Sequence, residues 1–210
     1  TGRDMIGQAQ TGTGKTAAFL LTIFNRLLTV QPEERFASEP RALIIAPTRE
    51  LALQIGKDAD ALGKYTGLNT LTVVGGMNYD SQRKMLRDHV VDVLVATPGR
   101  LIDFMRSQDV FLDQVEVLVL DEADRMLDMG FGTVVNQIAT EARWRKQNML
   151  FSATLESGGV KTFARDILND PAVLEASPSR KEKAKIHQWF HHADDLAHKQ
   201  ALLVHILKND

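Results

Sequence analysis

A glycine-rich segment near the start of the chain, followed much later by an apolar run that ends in acids, restricts the fold most. Residues 9–16 read Ala-Gln-Thr-Gly-Thr-Gly-Lys-Thr, and residues 117–124 read Val-Leu-Val-Leu-Asp-Glu-Ala-Asp. Glycines let the backbone curl around phosphate oxygens, and a following helix start offers free N–H groups to an anion. An apolar run that ends in acids is typical of a buried strand that carries carboxylates to a sheet edge. Together the two segments predict a nucleoside triphosphate site in an α/β fold.

Short apolar runs alternate with amphipathic stretches over most of the chain. This alternation predicts an α/β fold with a mostly parallel sheet and helices on both faces. Residues 17–28 are apolar over most of the helical circumference and predict a well-covered central helix, while the apolar positions from Val160 to Leu168 predict a helix with one buried face. The predicted strands are 4–7, 42–46, 70–74, 91–96, 115–120, 148–151 and 172–175.

Composition and charge place broad limits on function. The formal net charge of the 210 residues is −2, so any nucleic-acid surface must be local. The chain has no cysteine, which excludes disulfides and thiolate metal sites and suits a reducing, cytoplasmic compartment. No apolar run approaches the ~18 residues of a membrane span, so no membrane partner is expected.

The glycine-rich segment and the acidic run supply the groups that triphosphate chemistry needs. Lys15 would meet the β- and γ-phosphates, and Thr16 would place its hydroxyl on Mg²⁺. Asp121 would bind Mg²⁺ directly or through water, and Glu122 would orient or deprotonate the attacking water. The plainer interpretations are a glycine-rich turn and an acidic helix start, which the joint occurrence of the segments disfavours. The other residues of the predicted cradle are Ala9, Gln10, Thr11, Gly12, Thr13 and Gly14.

Two hydroxyl residues, Ser152 and Thr154, follow the apolar run 149–151. At a strand end their hydroxyls could hydrogen-bond Asp124 or a water near the phosphates. Serine and threonine are also common helix N-caps, and their chemistry alone favours that interpretation.

Three further segments lie at the ends of apolar runs, each before a potential helix start. Backbone N–H groups, hydroxyls and guanidinium groups suit sugar–phosphate oxygens and need not read bases. Singly, each segment is explained by turn chemistry; at equivalent ends of one sheet, the three predict a track for a phosphodiester backbone. The residues concerned are Pro47, Thr48, Arg49, Gly75, Gly76, Thr97, Pro98, Gly99 and Arg100.

The ordered set of segments resembles the motifs of the first RecA-like domain of DEAD-box ATP-dependent RNA helicases. The matching segments are AQTGTGKT (9–16), PTRELALQ (47–54), GG (75–76), TPGR (97–100), DEAD (121–124) and SAT (152–154). Ala9 departs from the glycine of the general phosphate loop but matches this family. The resemblance covers residues 1–176 and implies a RecA-like P-loop NTPase domain that uses ATP and Mg²⁺ and acts on RNA.

The resemblance also implies roles for individual residues. Asp124, Ser152 and Thr154 would couple hydrolysis to strand opening. The RNA backbone would be gripped without base reading by Thr48, Arg49, Gly76, Thr97, Gly99 and Arg100. The segments 141–155 and 186–196 are most similar to bacterial SrmB-type helicases, which implies ribosomal RNA and large-subunit assembly proteins as partners.

The end of the chain is expected to belong to a second domain. Residues 177–185 are polar and basic and predict a linker, and residues 186–210 resemble the start of a second RecA-like domain, with a strand at 186–190 and a helix at 198–208. The family's adenine-reading segment would precede the phosphate loop, and its arginine fingers would lie in the second domain. These 210 residues alone are therefore expected to bind nucleotide weakly and barely to hydrolyse or unwind.

Alternatives from other functional classes remain open at this point. One is a DNA-directed helicase or translocase, and another is a nucleotide-gated RNA clamp or scaffold whose turnover is incidental. The presence of Glu122 argues against a dead enzyme. A small-molecule kinase would need an acceptor site, for which the sequence offers no candidate.

Overall fold

The structure is a computed structural model that describes residues 2–8, 13–32, 34–155, 158–175 and 189–209. The chain divides into two compact units, residues 1–177 and 178–210. The predicted linker 177–185 lies outside the described residues. So do four residues of the predicted cradle: Ala9, Gln10, Thr11 and Gly12.

Strands and helices alternate through the first unit. The strands are β1 (Met5–Gln8), β2 (Ala42–Ile45), β3 (Thr70–Val73), β4 (Val93–Ala96), β5 (Val117–Leu120), β6 (Gln147–Ser152) and β7 (Ala172–Glu175). The helices are α1 (Lys15–Thr29), α2 (Arg49–Gly63), α3 (Tyr79–Asp88), α4 (Pro98–Arg106), α5 (Ala123–Asp128), α6 (Gly132–Glu141) and α7 (Gly158–Ile167). The described strands form one sheet in the order β3-β4-β2-β5-β6-β1-β7, and every pair is parallel. The predicted parallel α/β sheet is confirmed.

Two hydrophobic cores lie on opposite faces of the sheet. Successive strand residues point to opposite faces, so Leu43 and Ile45 enter one core while Ala42 and Ile44 enter the other. The first core is closed by α3, α4, α5, α6 and α7, and the second by α1 and α2. Burial on both faces explains why the central strands are continuous apolar runs rather than alternating ones.

Three sequence predictions need correction in detail. β4 and β5 begin two residues later than the apolar runs that predict them, because Val91 and Val115 are buried in the approaching loops rather than in the sheet. Helix α1 is covered on one side only, with Leu21 58% and Leu28 45% exposed, so it is not the fully covered helix that its composition predicts. The helix predicted from the apolar positions at 160–168 is confirmed as α7, which buries the expected face.

The second unit contains helix α8 (Leu196–Asn209), which confirms the helix predicted at 198–208. Of the predicted strand 186–190 only Trp189 and Phe190 are described, and neither lies in a strand. Within the described residues, no helix is both long enough and apolar enough to cross a membrane.

A buried carboxylate ties α3 to the loop that follows α4. Asp109 is fully buried, and its Oδ1 lies 2.9 Å from Arg83 Nε and 2.6 Å from Arg87. Its Oδ2 accepts a hydrogen bond from Ser107 Oγ at 2.7 Å. Burial opposes ionisation of Asp109, but the hydrogen bonds and the arginine charges outweigh it and hold its pKa below the ordinary value.

The lowered pKa of Asp109 predicts a pH-dependent contribution to stability. Its charge stabilises the folded state above the unfolded-state pKa, and this contribution is lost as pH falls through the lower folded-state pKa. We expect Asp109→Asn to lower the free energy of unfolding by about 1–2 kcal/mol at pH 7, because the two arginines are partly exposed and water screens them. The deficit should shrink towards pH 3. Urea unfolding of both proteins across this range tests it, and a deficit that does not change with pH would contradict the assignment.

Candidate nucleotide and nucleic-acid site

The predicted triphosphate residues lie at the carboxyl ends of β1 and β5. Gly14 precedes α1 in a left-handed conformation with φ 79°, which glycine adopts without strain. Lys15 is the first residue of α1, and Thr16 follows in its first turn. Gly14 and the start of α1 therefore direct backbone N–H groups into the space beyond the carboxyl end of the sheet, as a phosphate site requires.

Lys15 and Asp121 form a buried ion pair across this edge. The Nζ atom lies 2.7 Å from Asp121 Oδ1, and the two side chains are 8% and 0% exposed. Asp121 Oδ1 also accepts a hydrogen bond from the Glu122 N–H at 3.0 Å. Burial raises the pKa of Asp121, and the nearby Lys15 charge opposes that rise only in part.

The second carboxylate oxygen of Asp121 is buried without a partner. Among the residues that the structure describes, Oδ2 has no hydrogen-bond donor. Buried carboxylate oxygens are normally satisfied, so an unsatisfied one next to a lysine indicates a place for a cation or water. No group of three or more His, Asp or Glu side chains in the described part of the chain could hold a metal unaided. Mg²⁺ commonly uses one or two protein carboxylates together with substrate phosphates, a role that the Asp121 carboxylate fits at this position.

Glu122 shares a cavity with Lys15. The cavity has a volume of about 530 Å³, and its lining also includes Thr16 and, from α2, Gln54 and Asp58. Neither α2 residue was predicted from the sequence, since nothing in the 47–54 pattern indicates which side of that helix faces the phosphate loop.

The backbone of Glu122 is left-handed, with φ 53°. It stands at the N-cap position of α5, as the acidic helix-start interpretation predicts, but its side chain makes no cap hydrogen bond. Instead its Oε2 lies 3.4 Å from the Arg125 side chain, which is 58% exposed. A non-glycine residue in this region is uncommon, and such residues cluster at active sites and ligand-binding segments.

Asp124 links the segment after β5 to the segment after β6. Its Oδ2 accepts hydrogen bonds from the backbone N–H of Ala153 and Thr154, both at 3.2 Å, and from the Thr154 hydroxyl at 3.1 Å. Ser152 donates to the Thr154 carbonyl at 2.8 Å rather than to Asp124. The N-cap interpretation of both hydroxyls is wrong, because Ser152 lies in β6 and the next described helix begins at Gly158.

Gln8 is a residue of this region that sequence reasoning missed. It is the last residue of β1, it pairs in register with Ser152, and its side-chain amide donates to the Ala153 carbonyl at 3.2 Å. It thus joins the strand that leads into the phosphate loop to the segment that holds Asp124. Its position directly before the glycine-rich segment was the available signal.

The three predicted backbone-track segments lie together. Thr48 caps α2 by accepting the Leu51 N–H at 3.3 Å, and Thr97 stands at the N-cap position of α4. The Gly75 N–H donates to the Thr97 hydroxyl at 3.4 Å. Gly76 is left-handed, with φ 74°, and a side chain there would approach the Arg49 guanidinium to 3.1 Å.

The segments differ in what they expose. Arg49, Gly75, Gly76 and Gly99 are exposed, whereas Pro47 and Pro98 are buried and shape the chain rather than offer surface. In the described part of the chain, no carboxylate pairs with Arg49. The arrangement is a polar ridge of N–H groups, hydroxyls and the Arg49 guanidinium, which is chemistry suited to phosphodiester oxygens.

Comparison with known proteins decides the family. The sequence model of the family described as "DEAD/DEAH box helicase" matches residues 1–163. The chain belongs to the DEAD/DEAH box helicase family. It is similar to ATP-dependent RNA helicase SrmB of Escherichia coli (strain K12), with 49% identity over 207 residues that cover 99% of this chain and 46% of the relative. It is also similar to ATP-dependent RNA helicase RhlB of Pseudomonas aeruginosa (strain UCBPP-PA14), with 56% identity over 190 residues, 89% of this chain and 48% of the relative.

Solved structures of the family share the fold. A hypothetical ATP-dependent RNA helicase from Sulfolobus tokodaii matches with a TM-score of 0.73 and 30% identity, over all of this chain and 57% of the other. The yeast DEAD-box splicing factor Prp28 matches with a TM-score of 0.79 and 32% identity, over 99% of this chain and 48% of the other. The predicted RecA-like fold is confirmed, and the chain spans about half the length of the curated relatives it matches.

Proposed function

We propose that this chain is the first RecA-like domain of an ATP-dependent RNA helicase, in which ATP hydrolysis drives local opening of RNA duplexes or remodelling of RNA–protein complexes. The observation that carries the proposal is the 2.7 Å approach of Lys15 Nζ to the buried Asp121, with Glu122 lining the same cavity. Lys15 therefore contacts one acid directly and shares the cavity with the other, at the end of a parallel sheet. The names of SrmB and RhlB support the same activity.

ATP and Mg²⁺ are the proposed cofactors. Lys15 would leave its pairing with Asp121 to meet the phosphates, and the N–H groups at the start of α1 would hold phosphate oxygens. Thr16 and Asp121 would hold Mg²⁺, with the unsatisfied Asp121 Oδ2 supporting that role. When bound, the cation would neutralise charge that develops on the transferring phosphoryl group. Glu122 would accept a proton from, or orient, the attacking water.

The segment held by Asp124 would couple the two sites. Its Oδ2 accepts hydrogen bonds from both Ala153 and Thr154. A shift of the acidic run on nucleotide binding would therefore displace the segment directly after β6. The RNA strand would lie along the ridge that starts at Thr48 and Arg49 and continues through Gly75, Gly76 and the start of α4. Because these groups meet backbone oxygens, the domain would accept RNA of any sequence.

We also propose a domain arrangement and a class of partners. Residues 177–185 would link this domain to a second RecA-like domain that begins near residue 186 and carries the arginine fingers. The likeness to SrmB favours a cytoplasmic role with ribosomal RNA and large-subunit assembly proteins, but RhlB is similarly close in sequence. Sequencing the RNA that copurifies with the protein would test this, since ribosomal RNA should be enriched if the assembly role is correct.

The proposal is tested by comparing ATP turnover with single-stranded RNA and with DNA of matched sequence. We expect RNA to stimulate turnover in a form of the protein that carries the proposed second domain, and DNA to stimulate it much less. The 210 residues alone should remain slow, since arginine fingers are worth roughly 10³–10⁵ in turnover in related NTPases. Brisk RNA-stimulated turnover by the 210 residues would contradict the two-domain requirement, and equal stimulation by DNA would favour a DNA-directed helicase.

A further inference from the structure

A buried glutamine of α3 bonds both ends of the loop that contains Gly75 and Gly76. This loop, residues 74–78 between β3 and α3, is called the Gly75–Gly76 loop below. Gln82 is 6% exposed, and its Oε1 accepts a hydrogen bond from the Val74 N–H at 2.8 Å. Its Nε2 donates to the Val74 carbonyl at 3.2 Å and to the Asn78 carbonyl at 3.1 Å. One side chain therefore joins the first residue of the loop to the last.

Val74 needs such a partner because it lies at the edge of the sheet. β3 is the outermost of the described strands on its side, so no further strand among them can pair with the Val74 backbone there. Val74 is fully buried, and buried backbone N–H and C=O groups are almost always hydrogen-bonded. The Gln82 amide offers one acceptor and two donors, and so supplies what a neighbouring strand would supply.

The middle of the Gly75–Gly76 loop is held from the start of α4. The Gly75 N–H donates to the Thr97 hydroxyl at 3.4 Å, and Arg100 Nη2 donates to the Met77 carbonyl at 3.2 Å. A guanidinium has five N–H donors, so this bond is compatible with the RNA role predicted for Arg100. Gln82 adds the connection to α3, and the loop is thereby fixed from two helices.

The position of this loop matters because it lies beside another part of the ridge. Gly76 is exposed and left-handed, and a side chain there would approach the Arg49 guanidinium to 3.1 Å. A shift of the loop would change its spacing from Arg49. A binding surface works only when its contacting groups are held in place by hydrogen bonds from the residues behind them.

We propose that Gln82 is a positioning residue of the RNA surface, which holds the Gly75–Gly76 loop in the geometry that binds the RNA backbone. This inference rests on the proposed RNA-binding function. Gln82 is buried and acts through the loop rather than by touching RNA. Its loss would leave the polar groups of Val74 buried without these partners, and the loop would move to satisfy them. The phosphate cavity, which lies beyond β1 and β5, would keep its shape.

The experiment measures ATP turnover against the concentration of single-stranded oligouridine, in a form of the protein that carries the proposed second domain. Gln82→Met keeps most of the side-chain length but removes the three hydrogen bonds. We expect the RNA concentration for half-maximal stimulation to rise about threefold to tenfold. The kcat at saturating RNA and the KM for ATP should stay within about twofold of the parent values. A purely structural role would instead lower kcat through loss of folded protein and leave the RNA dependence unchanged.

A double variant shows whether Gln82 acts through the loop. Gly76→Ala places a methyl group beside Arg49 and strains a left-handed backbone, so it disturbs the same loop directly. This variant alone should also raise the RNA concentration for half-maximal stimulation. Adding Gln82→Met to it should raise that concentration by less than about twofold further, because both changes displace one element.

Two matched variants serve as controls. Gln137 is exposed on α6, so Gln137→Met makes the same chemical change away from the ridge. Gly67 has φ 73° and no neighbouring atoms that a methyl group would meet, and it lies before β3 rather than after it. Gly67→Ala therefore introduces the same backbone strain at the other end of the strand. Both controls should leave the RNA dependence of turnover unchanged.

Two results would overturn the inference. One is an unchanged RNA concentration for half-maximal stimulation in Gln82→Met, and the other is a pair of effects that simply multiply in the double variant. If Gln82→Met does not fold, amide hydrogen exchange of the unaltered protein decides. The Val74 N–H should be protected without RNA, and oligouridine with a non-hydrolysable ATP analogue should slow exchange at Gly75 and Gly76.

The exchange measurement has its own contradicting outcomes. An unprotected Val74 N–H would show that Gln82 does not hold the loop, and unchanged exchange at Gly75 and Gly76 would show that the loop does not meet RNA. Absence of RNA-stimulated turnover in the unaltered protein would instead overturn the proposed function, and this inference with it.

Discussion

Glu122→Gln is expected to lower ATP turnover at saturating RNA by at least about 100-fold while RNA affinity in the presence of ATP is kept or increased. Glutamine has nearly the shape of glutamate, so the cavity that Glu122 shares with Lys15 should be preserved. The amide cannot accept a proton from water at neutral pH, so the hydrolytic step should fail after nucleotide and RNA have bound. The protein would then be held in its bound state.

The measurement combines steady-state phosphate release with RNA binding in ATP and Mg²⁺, in a form of the protein that carries the proposed second domain. Glu141→Gln is a matched control. Glu141 is exposed at the end of α6, so this substitution makes the same chemical change away from the cavity. Turnover within about tenfold of the parent protein would contradict the role of Glu122 as the group that activates water.

Glu122→Gln also distinguishes an ATP-driven helicase from a nucleotide-gated RNA clamp. If duplex opening and cellular function both survive when hydrolysis is abolished, nucleotide-gated clamping is the function and turnover is incidental. If RNA is bound but neither duplex opening nor function survives, hydrolysis is needed for release and repeated cycles. The contacts from Asp124 to Ala153 and Thr154 favour the second outcome, because they connect the acidic run to the segment after β6.

Much of the fold could be predicted from the sequence because its strands are buried on both faces. Such strands appear as short continuous apolar runs, and the runs at 42–46 and 115–120 correspond to β2 and β5. The strand ends were less predictable, since Val91 and Val115 are as apolar as strand residues but are buried in loops. Composition also could not show that Leu21 lies on the exposed side of α1, because helix burial depends on what packs nearby.

The candidate site could be predicted where residues with suitable chemistry directly follow predicted parallel strands. Lys15 and Asp121 follow separate strand signals, and parallel strands bring their carboxyl ends to one edge. Contacts between side chains distant in sequence were not predictable in the same way. Nothing in the residues around Tyr79 indicates that its ring lies on Phe104, or that Arg100 lies over both. Such contacts depend on the rotation of α3 and α4 about their axes, which short motifs leave undetermined.

Lys15→Met is expected to have the largest combined effect of any single substitution on stability and nucleotide binding. Methionine keeps much of the side-chain volume but leaves the fully buried Asp121 without its cation. Removing one partner of a buried ion pair typically costs about 3–5 kcal/mol, and we expect about 3 kcal/mol here at neutral pH. Affinity for ATP should also fall by about 10- to 100-fold, as expected for lost charge-assisted hydrogen bonds to phosphate.

A double variant distinguishes the two consequences of losing Lys15. Lys15→Met combined with Asp121→Asn removes both charges, so stability measured by urea unfolding should largely recover. ATP affinity should stay low, because the group that meets the phosphates and a carboxylate proposed for Mg²⁺ are then both missing. Lys161→Met, at an exposed position on α7, should change neither quantity. If the double variant regained ATP affinity together with stability, Lys15 would serve only to balance a buried charge, and the triphosphate assignment would have to be withdrawn.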